Sequence, residues 1–330
     1  MPFGNFFKQI LKLKGLNFLL ETFLIVKGLV LFLLAASLCL YGAPAQILTF
    51  VFCLWSYPAY HYCQSDLLDM QYCFMQFTFE KIQGARITYS GDKIDFEESA
   101  VVFSNHQSSA DLFMIGALSN KVSMAGRSRY FMKDSIKYIP IFGWGLWMTG
   151  QFFLKRNWSE DKGLINRTFE RIIRFKLPVW VISYPEGTRL SPEKKKESQE
   201  FSASRGLPPY ENVLYPRTKG LVATIQAFRN SHIHYVYDVT IAYRKGPSSD
   251  GFGKTLGAFQ HYYCNRLSPE YRYHIHVDKF LIDELPTDDK QLSEWLIKRF
   301  QCKDLLLESL KSQKWTNILP ESCHLRDSPL

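Results

Sequence analysis

From Gly28 to Ser65 the chain carries no Asp, Glu, Lys or Arg: GLVLFLLAASLCLYGAPAQILTFVFCLWSYPAYHYCQS. A core helix of a water-soluble domain seldom needs so long an uncharged stretch, and the apolar region of a cleavable signal runs only about 7–15 residues. The segment is therefore expected to lie in a membrane, the alternative being a buried helical pair in a soluble domain. GAPAQ at 42–46 supplies a Gly and a Pro, which predicts a helix break. Each arm is then about 15 residues, or about 22 Å as helix, against a hydrocarbon thickness of about 30 Å. Two full spans require the first to begin near Leu16 and to tolerate Glu21 and Lys27. A shallow hairpin that enters and leaves on one side fits better, and one long span remains open. Lys8, Lys12, Lys14 and Lys27 place the N-terminus in the cytosol. Trp55, Tyr57, Tyr60 and Tyr62 have the composition of an interfacial belt.

The remaining chain is basic and rich in core-forming residues. Lys and Arg number 40 against 31 Asp and Glu, a formal charge of +9, and 15% of residues are aromatic. Such a surplus suits an anionic partner: a membrane surface, phosphate-bearing substrates or nucleic acid. The basic residues are dispersed and no recognised nucleic-acid module is present, so nucleic acid is not expected. Seven cysteines without a CxxC pair argue against a disulfide framework and a structural zinc site.

Past residue 65 the pattern is that of an α/β domain: a mostly parallel central sheet flanked by helices, preceded by the N-terminal membrane-embedded helical hairpin. Residues 66–83 read as an amphipathic bridging helix. RITYSGDKIDFEESAVVFSN reads as a hairpin turning near Gly91 and Asp92. A helix over about 109–119 and a short strand at SMAGR follow. KGLINRTFERIIRFK has apolar residues at 164, 165, 169, 172 and 173, a helical spacing. It lies between two buried-type strands, FEESAVVFSN and LPVWVISYPEG, and strand–helix–strand order implies a parallel sheet. SPEKKKESQEF at 191–201 reads as a solvated charged loop. DVTIAYR and YHIHVDKF read as further strands, and QLSEWLIKRFQCKDLLLESL as a closing amphipathic helix. His274, His276 and Asp278 alternate onto one face of their strand, but no metal site is expected there. The expected division is 1–65 membrane anchor, 66–285 catalytic domain and 286–330 C-terminal helix and tail.

Both buried strands run into polar loops, NHQSSAD and YPEGTR, at their carboxyl ends, where ligands bind in such sheets. His106 and Asp111 are five apart and meet only if His106 lies in the loop and Asp111 in the first helical turn. Ser108 followed by Asp111 also fits a capping box with Asp for Glu, in which Asp111 would merely serve the backbone. A histidine oriented by a carboxylate is the equipment of general-base catalysis. No G-x-S-x-G elbow or other protein nucleophile is evident, so the proton would come from a substrate hydroxyl or water. Arg189 in YPEGTR and Arg156 in FFLKR can each fork onto a phosphate.

NHQSSAD matches the NHxxxxD block of the glycerolipid acyltransferases that include the 1-acylglycerol-3-phosphate acyltransferases. KDSIKYIPIFGWGLWMTGQFFLKR resembles the second block and YPEGTR the third, usually FPEGTR. YDVTIAYR stands where the fourth falls but lacks its proline. ENVLYPRTKG, DVTIAY and HIHVDKFLIDELPTDDKQLSEWL resemble the lysophosphatidylinositol and lysocardiolipin acyltransferase branch. The resemblance covers about residues 85–285. It implies a membrane enzyme of the endoplasmic reticulum, its domain facing the cytosol, that uses acyl-CoA as co-substrate with no metal or organic cofactor. It implies His106 as the base that deprotonates a lysophospholipid hydroxyl and Asp111 as its orienting partner. Arg156 and Arg189 would hold the acceptor phosphate, with Lys133 as a helper. Glu186, Gly187 and Thr188 would shape the acceptor pocket, and Pro140, Gly143 and Trp144 the acyl tunnel. The acceptor is expected to be lysophosphatidylinositol or lysophosphatidic acid. A membrane-associated hydrolase and a silent lipid-binding scaffold are the alternatives. Asn157-Trp158-Ser159 and Asn166-Arg167-Thr168 are glycosylation sequons by pattern, expected to be unused if the domain is cytosolic.

Overall fold

The computed structural model describes residues 3–155, 158–258 and 260–312. Its centre is a seven-stranded sheet in the order β1-β7-β6-β2-β5-β3-β4. The strands are β1 (Ile87–Gly91), β2 (Ala100–Ser104), β3 (Ser128–Lys133), β4 (Phe152–Leu154), β5 (Trp180–Ser183), β6 (Tyr235–Lys245) and β7 (Tyr271–Leu281). All neighbours pair in parallel except β6 with β7. β2, AVVFS, is buried on both faces because helices cover both, and an apolar run without alternation is what that environment selects. One face packs Val102, Ile182, Val239 and Ile241 against the helical residues Leu68, Tyr72, Phe113 and Met114. The other packs Val101, Phe103 and Val181 against Ile165, Phe169, Ile225 and Phe300.

The helices are α1 (Phe3–Phe50), α2 (Tyr57–Phe77), α3 (Asp111–Lys121), α4 (Phe142–Met148), α5 (Trp158–Arg174), α6 (Pro192–Ala203), α7 (Thr218–Phe228) and α8 (Asp289–Ser312). The expected break at 42–46 does not occur: α1 runs through Gly42 and Pro44. An interior proline costs about 3 kcal/mol, and here both neighbouring turns are held from outside. Gly42 lies against the Gln71 side chain. The Gln64 amide donates to Gln46 O at 3.0 Å and to Thr49 Oγ1 at 2.8 Å.

A hairpin does form, with its turn at residues 51–56. Lys27 donates to Gln83 Oε1 at 3.1 Å, Gly42 meets Gln71, Gln46 meets Gln64, and the Phe50 and Tyr60 rings lie 5.8 Å apart. Rising α1 numbers against falling α2 numbers define an antiparallel pair. Among the described residues only α1 is long and apolar enough to cross a membrane, and α2 buries His61, Gln64, Ser65 and Gln76. It also runs unbroken across residue 65, so the expected anchor boundary falls inside a helix.

The stretch Phe18–Phe50 is long and apolar enough to cross a membrane, and most of its most apolar 18-residue window is exposed. Leu48, Leu54 and Trp55 are exposed, as are Phe142, Trp144 and Trp147 of α4, which packs on α1 through the Gln46–Gly145 contact. Together they are the exposed apolar surface around the α1–α4 contact. Trp144 and Pro140, expected at an acyl tunnel, lie on this surface, while Gly143 is buried against Ile136 and Lys137.

Three further expectations are corrected. β1 and β2 form no hairpin. β1 pairs with β7 at the sheet edge, and after Gly91 the chain is drawn toward β7 by Asp92, which accepts Lys279 N–H at 2.9 Å. The strand expected at SMAGR begins at Ser128, because Gly126 is pressed on α2, where an added Cβ would lie 2.1 Å from Ser65 O. Residues 191–201 form most of helix α6. Ser191 caps it by accepting Lys194 N–H at 3.2 Å, Pro192 opens it, and Lys194–Glu197 and Lys196–Glu200 pairs line it.

Candidate active site

β2 and β5 are parallel neighbours, with Phe103 opposite Ser183, so the loops after them leave the sheet side by side. Asn105, fully buried, fastens the first loop to the next strand. Its amide donates to Ile241 O at 2.9 Å, and its Oδ1 accepts Ile241 N–H at 2.8 Å. A second tie joins the two loops, as Leu190 N–H donates to His106 O at 2.7 Å.

Asp111 opens α3 and turns its carboxyl back into the loop. Oδ2 accepts His106 Nδ1–H at 2.7 Å and Gln107 N–H at 2.8 Å, and Ser108 N–H lies 3.1 Å from it. Oδ1 accepts the Tyr243 hydroxyl of β6 at 2.6 Å. The capping box is half realised. The acid reaches back to Ser108 N–H, but Ser108 Oγ accepts from Ala110 N–H and not from Asp111. Capping and catalytic orientation are thus the same interaction seen from two sides.

With Nδ1 donating to Asp111, the neutral imidazole carries its lone pair on Nε2. Nε2 has no hydrogen-bond partner among the described residues, and the ring is 24% exposed. Tyr184 stacks on it with ring centroids 4.2 Å apart and planes inclined by 22°. The ring is therefore held by a hydrogen bond on one edge and an aromatic plane on one face, with its basic nitrogen free. This arrangement can take a proton from a hydroxyl placed at Nε2.

Glu186 lies beneath the loop junction, 3% exposed. Its Oε1 accepts His106 N–H at 3.1 Å, while Oε2 is buried without a partner. Burial pushes this carboxyl well above the usual carboxylate range; the His106 and Leu214 N–H groups pull it partly back. Gly187 follows at φ +70, where only glycine is unstrained, and a side chain there would meet Arg217 at 3.4 Å. Thr188 is half-buried. Arg189 is exposed and makes no hydrogen bond or ion pair among the described residues, so its fork is free for an anion.

His106, Asp111 and Glu186 thus come together, with Gly187, Thr188 and Arg189 following directly. Lys133 ends β3, two strands from β2, exposed and unpaired among the described residues. Arg156 lies outside the described residues. The sequence reading missed Tyr243, Asn105 and the cation Arg217, whose N–H donates to Pro185 O at 2.8 Å. Arg217 stands in the quoted PRTKG, but only the fold shows that this stretch abuts YPEGTR. Among the described residues no cluster of three or more His, Cys, Asp or Glu could hold a metal. His274 and His276 bond Ser90 instead, and His276 also contacts Asp278.

Residues 86–244 match the family description "Acyltransferase", and residues 267–327 match "Acyltransferase C-terminus". The probable 1-acyl-sn-glycerol-3-phosphate acyltransferase 5 of Arabidopsis thaliana is 31% identical over 254 residues, covering 76% of this chain and 64% of that protein. The chain thus spans a little under two thirds of that relative's length. The 1-acyl-sn-glycerol-3-phosphate acyltransferase epsilon of Mus musculus is 29% identical, covering 84% of this chain and 77% of the relative. The crystal structure of the 1-acyl-sn-glycerophosphate (LPA) acyltransferase PlsC from Thermotoga maritima superposes with a TM-score of 0.48 at 15% identity, covering 92% of this chain and 99% of that one.

Glu186 gives a pH-dependent prediction. Its raised folded-state pKa means that its contribution to stability is complete below the unfolded-state pKa and is lost as pH rises toward the folded value. Glu186→Gln is isosteric and does not titrate. Its unfolding midpoint should match wild type in acid and exceed it increasingly toward neutral pH. A Glu186→Gln difference that does not vary with pH would contradict the assignment.

Proposed function

Because the chain belongs to the glycerolipid acyltransferase family, we propose that it transfers a fatty acyl group from acyl-CoA to a free glycerol hydroxyl of a lysophospholipid. The observation that carries this reading is the 2.7 Å His106–Asp111 bond, which leaves Nε2 open at the end of β2. His106 Nε2 takes the proton of the acceptor hydroxyl as its oxygen attacks the thioester carbonyl. Asp111 holds the tautomer and stabilises the imidazolium. The tetrahedral intermediate collapses, the C–S bond breaks, and the CoA sulfur takes the proton back from His106. No acyl-enzyme forms, in keeping with the absence of an evident protein nucleophile.

The acceptor's phosphate is assigned to Arg189, with Arg217, whose side chain lies against Gly187, as a second cation and Arg156 by family resemblance alone. Glu186, buried under the His106 loop, would shape the acceptor pocket through its bond to His106 N–H, its protonated form favoured by burial. The relatives are named for 1-acyl-sn-glycerol-3-phosphate, which favours lysophosphatidic acid as acceptor. Resemblance of the C-terminal half to the other branch favours lysophosphatidylinositol. The reaction needs no metal and no organic cofactor. The membrane is that of the endoplasmic reticulum, with the catalytic domain on the cytosolic side beside its acyl-CoA supply.

Thiol release from oleoyl-CoA by the detergent-solubilised chain, measured with a panel of lysophospholipids, tests the chemistry. Release should require an acceptor and fall at least ~10²-fold in His106→Ala, while Arg189→Ala should raise the acceptor KM more than it lowers kcat. Equal release without acceptor would point to hydrolysis, and no release from folded protein to a silent scaffold. Topology has its own readout. Asn166 is exposed on α5, so a lumenal domain would be glycosylated. Endoglycosidase treatment of the chain expressed in microsomes should leave its mobility unchanged, and a shift would place the domain in the lumen.

A further inference from the structure

β2 stops at Ser104, opposite Val239, while its parallel neighbour β6 runs on to Lys245. The overhang is held on its far side by β7, with Tyr243 opposite Tyr273. Val239, Ile241 and Tyr243 alternate onto the face that α2 and α3 cover. Asn105 fastens the catalytic loop to Ile241, and the next residue on that face, Tyr243, is carried over the start of α3. There its hydroxyl donates to Asp111 Oδ1 at 2.6 Å. The Tyr243 ring is fully buried and stands edge-on to Tyr273, with centroids 5.9 Å apart and planes at 90°. Burial, and then the charge of Asp111, push the hydroxyl well above its ordinary pKa, so Tyr243 keeps its proton and acts as a donor.

The two oxygens of Asp111 are not held alike. Oδ2 accepts from His106 Nδ1–H at 2.7 Å and from Gln107 N–H at 2.8 Å, with Ser108 N–H at 3.1 Å. Oδ1 has the Tyr243 hydroxyl and, at 3.2 Å, the same Ser108 N–H, which the two oxygens share. Among the described residues Tyr243 is therefore the one donor committed to Oδ1, at the length of a charge-assisted O–H···O bond. Asp111 is 1% exposed, so solvent does not stand in for that donor. The other donors all come from the catalytic loop, whereas Tyr243 comes from the sheet. Held from both sides, the carboxylate cannot turn about its Cβ–Cγ bond. His106 is otherwise met by the Tyr184 ring on its face and by Glu186 at its backbone N–H, and neither bonds Nδ1. The aim of Nε2 thus depends on where Oδ2 sits, and the place of Oδ2 on the hydroxyl that holds Oδ1.

We propose that Tyr243 is a positioning residue for acyl transfer: its hydroxyl locks the Asp111 carboxylate in the orientation that keeps His106 Nε2 aimed at the acceptor hydroxyl. The inference rests on the function assigned above and adds a third member to the His106–Asp111 pair. Tyr243 touches no substrate and gives up no proton; it acts through Asp111. Small errors in the aim of a catalytic group are costly in rate, so the hydroxyl contributes to turnover and not to substrate binding.

The test is a double-mutant cycle on the full chain in neutral detergent, read as acceptor-dependent thiol release from oleoyl-CoA below the melting temperature of every variant. Tyr243→Phe keeps the ring and its contact with Tyr273 and removes only the O–H. Its kcat should fall about tenfold, with KM for acyl-CoA and for acceptor within about twofold of wild type. In an Asp111→Asn background the same change should alter kcat by less than about twofold, because the group it acts through is gone. Tyr273→Phe removes a neighbouring buried hydroxyl that does not bond Asp111, and it should keep the wild-type kcat. Wild-type kcat in Tyr243→Phe would reduce the hydroxyl to a stabilising contact and overturn the proposal. So would an equal loss in both backgrounds, a loss carried by KM, or a matching loss in Tyr273→Phe. Wild-type protein that releases no thiol, or releases it without acceptor, would instead overturn the assigned function, and this inference with it.

Discussion

The site rests on one buried carboxylate. Asp111 is 1% exposed and gathers donors from three directions: His106 Nδ1–H, the backbone N–H groups of Gln107 and Ser108, and the Tyr243 hydroxyl. An isolated carboxylate so deeply buried would cost several kcal/mol, and these donors offset that cost while fixing the path of the loop. The same atom shapes the loop, starts α3 and sets the histidine tautomer. Remove it, and Tyr243 loses its acceptor, two backbone N–H groups lose theirs, and the imidazole is free to rotate.

The sheet explains why such a cluster stands at this address. β2 lies between β6 and β5, so the loop after it is reached by Asn105 and Tyr243 contacts with β6 and by Tyr184 and Glu186 beyond β5. The antiparallel α1–α2 pair is fastened to the same domain through Lys27, whose ammonium bonds Gln83 Oε1 and Cys264 O, and through Asp69, whose Oδ1 accepts Gly126 N–H at 3.0 Å. Its outer face remains apolar. A domain built this way carries its exposed apolar side and its polar loops on one packed unit.

The short-range parts of this arrangement were legible in the sequence. NHQSSAD could be read as a loop entering a helix because strand, cap residue and acid follow in order. α5 and α8 have a 3.6-residue apolar period, and the β2 and β5 runs are apolar throughout. Long-range contacts were not legible. β1 looks like the first arm of a hairpin, and its choice of β7 as partner depends on residues some 185 positions away. Pro44 breaks helices by local rules, yet α1 continues through it, with Gln64 and Gln71 across the turn touching the neighbouring turns. Tyr243 sits in an ordinary strand pattern until the sheet carries it over Asp111. α6 is a different case: Ser191-Pro192 and the spaced Lys and Glu pairs do signal a helix, but an absent apolar stripe hides it.

Direct attack by the acceptor hydroxyl, with His106 as base and no covalent intermediate on the protein, is the central chemical claim. Intact-mass spectrometry of the chain incubated with acyl-CoA in the absence of acceptor tests it most directly. The mass should remain that of the unmodified protein, with full activity on later addition of lysophospholipid. A stoichiometric acyl adduct that discharges onto the acceptor would show a protein nucleophile and contradict the role assigned to the His106–Asp111 pair.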